Sequence, residues 1–150
     1  MQKSFRTYQQ VVVIIGAVIG FACIRFYENI LFYDPLLVFF KGENTALPLP
    51  EMELMRLLWG YFCRFWLNTF LSFGVIFVLF RDLHLLRFAA LIYGVFFVLL
   101  LLLFLILYWN NNPESNLFLF YVRRFLIQPV LLLLFVPAFF YQKKIMGSRQ

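Results

Sequence analysis

The chain of 150 residues is 64% hydrophobic and 22% aromatic, with a mean hydropathy of +0.87 and a formal charge of +6. A soluble domain is about 45–50% apolar; a globule this small could not hide the excess, so the sequence reads as an integral membrane protein. The basic balance does not mark a nucleic-acid reader, because the bases form no patch beside a foldable soluble domain.

A membrane span needs about 20 mostly apolar residues, and four stretches qualify. The first covers Tyr8 to Tyr27. Lys3, Arg6 and the run VVVIIGAVIG imitate a secretory signal, and GFAC at 20–23 loosely imitates a lipoprotein box. Gly20 and Phe21 are wrong for such a box and the cleavage signals are poor, so the stretch is expected to stay as an anchor. Gly16 and Gly20 form a small-xxx-small pair. It can pack helices within the chain or between copies in a homo-oligomer.

A long loop follows, from Glu28 to Glu53. Its NILFYDPLLVFF run is apolar but too short to span. Asp34–Pro35 can open a short helix and Lys41–Gly42 can close it, giving an interfacial or re-entrant segment that lids the bundle. LPLPE at 47–51 is a stiff extended lead, and Pro50, Glu51 and Glu53 are expected to begin the next helix.

The second span, Leu54 to Phe80, carries Arg64, Asn68 and Ser72 on one face at i, i+4, i+8. The third, Phe88 to Trp109, is generic. Asn112–Pro113–Glu114 then reads as an N-cap, a first-turn proline and a first-turn acid, so the fourth span, Leu117 to Tyr141, forms a tight hairpin with the third. Pro129 and Pro137 each remove a backbone bond, and Pro129 frees the Phe125 carbonyl for another donor.

Charge counting orients these spans. Lys3, Arg6, Arg81, Arg87, Lys143, Lys144 and Arg149 lie on one face with Asp82 as the only acid. The other six bases share the opposite face with six acids. Positive residues favour the cytoplasm, so both termini are expected inside and the Glu28–Glu53 loop outside. The expected fold is all-α: an integral membrane four-helix bundle, N-in and C-in, in one transmembrane domain.

Arg123 and Arg124 then lie about 10 Å inside the outer end of the fourth span, at 1.5 Å per residue. A charge at such depth needs a partner. Neighbouring helical residues point about 100° apart, so the pair cannot face one neighbour; Arg124 and Gln128 share a face. Arg64, Asn68, Arg123, Arg124 and Gln128 form the candidate partner- or anion-binding cluster. Arg25, Glu28, Asp34 and Glu114 are the candidate internal charge partners. Three readings stay open: snorkelling to headgroups, internal pairing, or an anion site for a partner or lipid.

Enzyme chemistry finds no constellation. His84, the only histidine, lies in the cytoplasmic link, whereas Cys23 and Cys63 lie in outer halves of spans, out of the about 3 Å reach that an activated thiol requires. The two cysteines read as small buried hydrophobes; a disulfide is the alternative. No paired acids sit inside a span, and no metal-ligand spacing exists. The sequence therefore predicts no catalytic residues, no metal and no cofactor. Four spans without a repeat or a full-depth charged stripe also make a poor transport pathway.

Several stretches together carry a resemblance: FYDPLLVFFKG at 32–42, LPLPE at 47–51, RFWLN at 64–68 and FYVRRFLIQPVLLLLFVPAFFYQ at 120–142. They resemble the exosortase F system-associated membrane proteins, a small family found beside a variant exosortase in Gram-negative bacteria. The resemblance implies a multi-pass protein of the bacterial inner membrane, accessory to protein sorting. Exosortases are multi-spanning Cys/Arg/His transpeptidase-like enzymes that cut tripartite C-terminal tails; this chain is not similar to the enzyme itself. The expected partners are the exosortase or its sorted substrate tails, met at the outer face, together with the lipid bilayer. The alternatives are an anionic lipid or lipid-intermediate binding protein, and a purely structural small membrane protein.

Overall fold

In the computed structural model, residues 2–42, 47–110 and 112–148 are described, with side chains described for 7–42, 47–110 and 112–146. The side chains of Lys3, Arg6, Glu43 and Arg149, counted above for orientation, lie outside that set. The described residues are mostly helical, without strands: α1 (Gln2–Phe26), α2 (Glu28–Leu31), α3 (Pro35–Lys41), α4 (Leu54–Phe80), α5 (Leu83–Asn110), a 3-10 turn at Pro113–Ser115, α6 (Asn116–Ile127) and α7 (Val130–Ser148).

Thr7–Phe26, α4 and α5 are each long and apolar enough to cross a membrane. The expected fourth span is corrected: it is a pair, α6 and α7, bent by 61° at Gln128–Pro129. Proline supplies no N–H and its ring clashes with the preceding turn, and Gln128 takes an extended conformation. Three straight candidate spans and one broken pair are compatible with a multi-pass membrane protein. Exposed Trp59, Trp109, Tyr27 and Tyr121 ring one end of the molecule, as interfacial aromatics do.

Helix α4 is the hub, packing against α1, α5, α6 and α7. Its buried face includes Leu57, Tyr61, Arg64, Asn68, Ser72 and Ile76, which recur at three- and four-residue steps as a helix stripe must. The polar stripe seen in the sequence is therefore the face turned inward. Below it the core is aromatic, with Phe65 and Phe97 centroids 4.6 Å apart and Tyr93 stacked on Phe135 at 5.6 Å.

Two ends can be told apart by contacts. At one, Arg81 Nη2 donates to Gln9 Oε1 at 3.1 Å and Lys143 Nζ to the Phe80 carbonyl at 2.7 Å. The start of α1, the α4–α5 link and the end of α7 thus share this terminal end. Arg81 closes α4 with φ 49°, a left-handed cap built without glycine. Asp82 caps α5 by accepting from the His84 backbone N–H at 2.8 Å, so α5 begins five residues before the expected Phe88.

The opposite, loop end holds α2, α3 and the α5–α6 turn. Helix α3 fills this end rather than lying over it: Leu36 is fully buried in the core. The segment comes close to α4 at Gly60, where a Cβ would already touch the Tyr33 carbonyl at 3.4 Å. Pro50, Glu51 and Glu53 do not begin α4; residues 50–53 run outside the helix and Glu53 is its extended N-cap. Likewise Asn112 makes no side-chain cap, and Pro113 opens a 3-10 turn ahead of α6. Helix α5 does pack along α6 as the hairpin requires.

Candidate functional site

Asp34 is the centre of the loop end. It sits at the N-cap position of α3, yet its side chain makes no cap bond there. Pro35 takes the first helical position, where no N–H is needed, and the carboxylate turns inward between α4 and α6. Arg64 Nη1 from α4 donates to Asp34 Oδ2 at 3.1 Å. From α6, Arg123 Nε donates to Oδ1 at 3.2 Å and Arg123 Nη2 donates to Oδ2. The two parallel bonds form the side-on guanidinium–carboxylate fork, which adds geometric specificity to charge. The Tyr61 hydroxyl donates to Oδ1 at 3.4 Å. The three charged side chains are only 2% (Arg64), 3% (Asp34) and 4% (Arg123) exposed.

A second acid extends the knot. Glu28 accepts from Arg25 Nη1 at 2.9 Å, lies 3.9 Å from Arg64 Nη2, and offers Arg64 its backbone carbonyl at 3.3 Å. The Arg64 guanidinium also lies over the Phe32 ring, 4.9 Å from its centroid, a cation–π contact strengthened by desolvation. Two arginines held by one carboxylate carry surplus positive charge, and the ring and Glu28 offset part of it on the α4 side.

The helix break is held from α4 as well. Asn68 Nδ2 donates to the Ile127 carbonyl at 2.8 Å, one of the groups left open where α6 ends. The donor that reaches the break is thus an amide, and its acceptor is the last residue of α6 and not Phe125. Asn116 Nδ2 donates to the Leu47 carbonyl at 3.0 Å, tying the α6 start to the LPLPE lead.

Of the nine residues singled out from the sequence, the structure brings Arg25, Glu28, Asp34, Arg64, Asn68 and Arg123 into this knot. Arg124 points away; it is exposed, and its Nε donates to Gln128 Oε1 at 3.2 Å. Glu114 is exposed and forms no ion pair among the described residues, so its assignment as an internal charge partner is withdrawn. It stands in the turn before α6, two turns above Arg123. The cysteines are also corrected: Cys23 faces outward, Cys63 is half-buried, and both are free. Gly20 packs on Leu71 of α4, with a Cβ position 3.0 Å from that side chain, whereas Gly16 faces open space. Tyr61 and Asn116 were not singled out. Tyr61 carries a signal in hindsight, because it lies one turn before Arg64 on the same face; Asn116 carries none.

Two cavities flank the break. One of about 300 Å³ lies beside Arg25, Glu28, Arg64, Asn68 and Pro129. The other, about 280 Å³, lies between α3 and α6 beside Arg25, Lys41, Arg123 and Arg124. The buried Arg64 Nε has no hydrogen-bond partner among the described residues. Comparison of the chain with protein-family models, curated proteins and solved structures finds no match.

Proposed function

We propose that this protein is an accessory component of an exosortase-type sorting system in the bacterial inner membrane, and that it docks the exosortase or the tail of a sorted substrate at the loop end. One observation carries the reading. Parts of the stretches on which the resemblance rests meet at this end: 32–42 supplies Asp34, 64–68 supplies Arg64 and Asn68, and the first part of 120–142 supplies Arg123 and the break, while its remainder runs to the other end. LPLPE is tied to the same end through Asn116. Segments far apart in the chain thus share one structural purpose.

The division of labour differs from that expected of the cluster as a whole. Arg64, Asn68 and Arg123 are buried and bonded within the chain, so they position α3 and the α6–α7 break. Arg124, Gln128 and the outward face of α3, including Val38, remain for a partner. In this reading the loop end faces out of the cytoplasm, where tail cleavage occurs, and the basic terminal end faces in. No catalytic group is assigned.

A photo-crosslinking residue placed at Val38 tests the proposal against one at Phe140; both positions are exposed, at opposite ends. The expected result is a crosslink from position 38, and not from 140, to the exosortase or a tailed substrate in native membranes. Crosslinks to neither from position 38 would leave the protein a structural membrane component and overturn the docking role.

A further inference from the structure

We propose that the cleft between α3 and α6, which borders the face assigned to a partner through Arg124 and Gln128, binds the phosphate of an anionic membrane lipid. Among the described residues, the cleft of about 280 Å³ is lined by Arg25, Lys41, Arg123 and Arg124 and by no carboxylate. Across the knot and the cleft, five cations (these four and Arg64) meet two acids among the described residues, Asp34 and Glu28. Three positive charges are left over.

One of the three stays in the knot, where Arg64 and Arg123 share Asp34, and the other two are localised in the cleft. Arg123 commits Nε and Nη2 to Asp34, and Arg25 pairs with Glu28. Lys41 and Arg124 have no carboxylate partner among the described residues, and Arg124 uses Nε alone on Gln128. An ammonium and the free edge of a guanidinium thus converge on one small space. That donor set suits a phosphate, which presents several strong acceptor oxygens. At the boundary of hydrocarbon and water the effective dielectric is well below that of water, so an uncompensated cation pair attracts an anion more strongly there than on a soluble surface.

Depth and shape select the lipid. Arg123 and Arg124 follow the α6 start by about 11 Å at 1.5 Å per residue, a level reached by headgroups and the outer acyl boundary. The rest of the lining includes Leu37, Phe40, Phe120 and Ile127, which suit a glycerol backbone and the first acyl carbons. A space of this volume is at or below the small end of ligand sites, roughly 300–1,000 Å³, so it takes a headgroup while the chains stay in the bilayer.

The test is native mass spectrometry of the full chain in detergent with phosphatidylglycerol and phosphatidylcholine of identical acyl chains. The wild type is expected to retain the anionic lipid with roughly tenfold preference, the scale of one charge-assisted contact. Lys41→Gln with Arg124→Gln spares the Asp34 knot and is expected to abolish the preference. Arg87→Gln with Lys144→Gln removes two exposed cations at the other end and is expected to preserve it. Lys41→Arg with Arg124→Lys keeps both charges and is expected to retain the lipid. Equal retention of the two lipids by the wild type overturns the proposal, as does equal loss in the two glutamine variants. Displacement of the lipid by excess inorganic phosphate would make the ligand a free anion and overturn the lipid assignment.

Discussion

Replacing Asp34 by alanine removes the one carboxylate that both buried arginines share. Arg64 Nη1, Arg123 Nε and Nη2, and the Tyr61 hydroxyl all lose their acceptor. The two arginines do not suffer equally. Arg64 retains the Glu28 carbonyl at 3.3 Å, the Glu28 carboxylate at 3.9 Å and the Phe32 ring. Arg123 loses its only carboxylate among the described residues while its side chain remains 4% exposed. Breaking a buried pair by deleting one partner costs about 3–5 kcal/mol, and most of that loss falls on Arg123. A typical domain holds roughly 5–15 kcal/mol in all, so a large share of the folded population is at risk. The assay is reversible unfolding in mixed micelles, read by tryptophan fluorescence and repeated for Arg123→Met alone and for the double variant. The double variant is expected to lose much less than the sum of the singles, because it leaves no orphaned charge on Arg123. A loss below about 1 kcal/mol for Asp34→Ala, the level of an exposed pair, or strict additivity in the cycle, would refute the reasoning.

Asn68→Leu leaves the buried Ile127 carbonyl without its donor and is expected to cost about 1–3 kcal/mol in the same unfolding assay. Gly60→Val drives a side chain against the Tyr33 carbonyl and should expose the α2–α3 segment, seen as faster proteolysis between residues 28 and 53 with α4 still protected. Arg124→Ala removes only an exposed contact to Gln128 and is expected to change stability by less than about 0.5 kcal/mol; a loss as large as that of Asp34→Ala would mean that Arg124 belongs to the buried knot.

Helix α4 was the most legible element: its Leu54–Phe80 bounds agree with the sequence reading, and its Arg64, Asn68 and Ser72 stripe does lie on one buried face. Periodicity finds such a face because it depends on one helix alone. Arg123 and Arg124 diverge for the same reason, one buried on Asp34 and the other exposed on Gln128. What needed the structure was pairing between elements. Asp34–Pro35 carries a local capping signal, and nothing in the sequence says that the carboxylate will turn instead to two guanidiniums, which are 30 and 89 residues away. Glu114 misled because charge counting assigns a face and not a depth. Pro129 announced a missing hydrogen bond, but a kinked helix and a broken one differ in whether a neighbour satisfies the freed carbonyls. Asn68 from α4 takes the Ile127 carbonyl here, and that contact is invisible until α4 and α6 are side by side.

The docking role stands or falls most directly on what the intact protein holds in its own membrane. The measurement is purification of the C-terminally tagged chain from native membranes in mild detergent, with the bound proteins identified and quantified against the Asp34→Ala variant. The account predicts recovery of the exosortase or a tailed substrate with the wild type, and its loss when the loop end is disrupted. Recovery of the wild type with neither of them would contradict the docking role and reduce the loop-end knot to a feature of the fold.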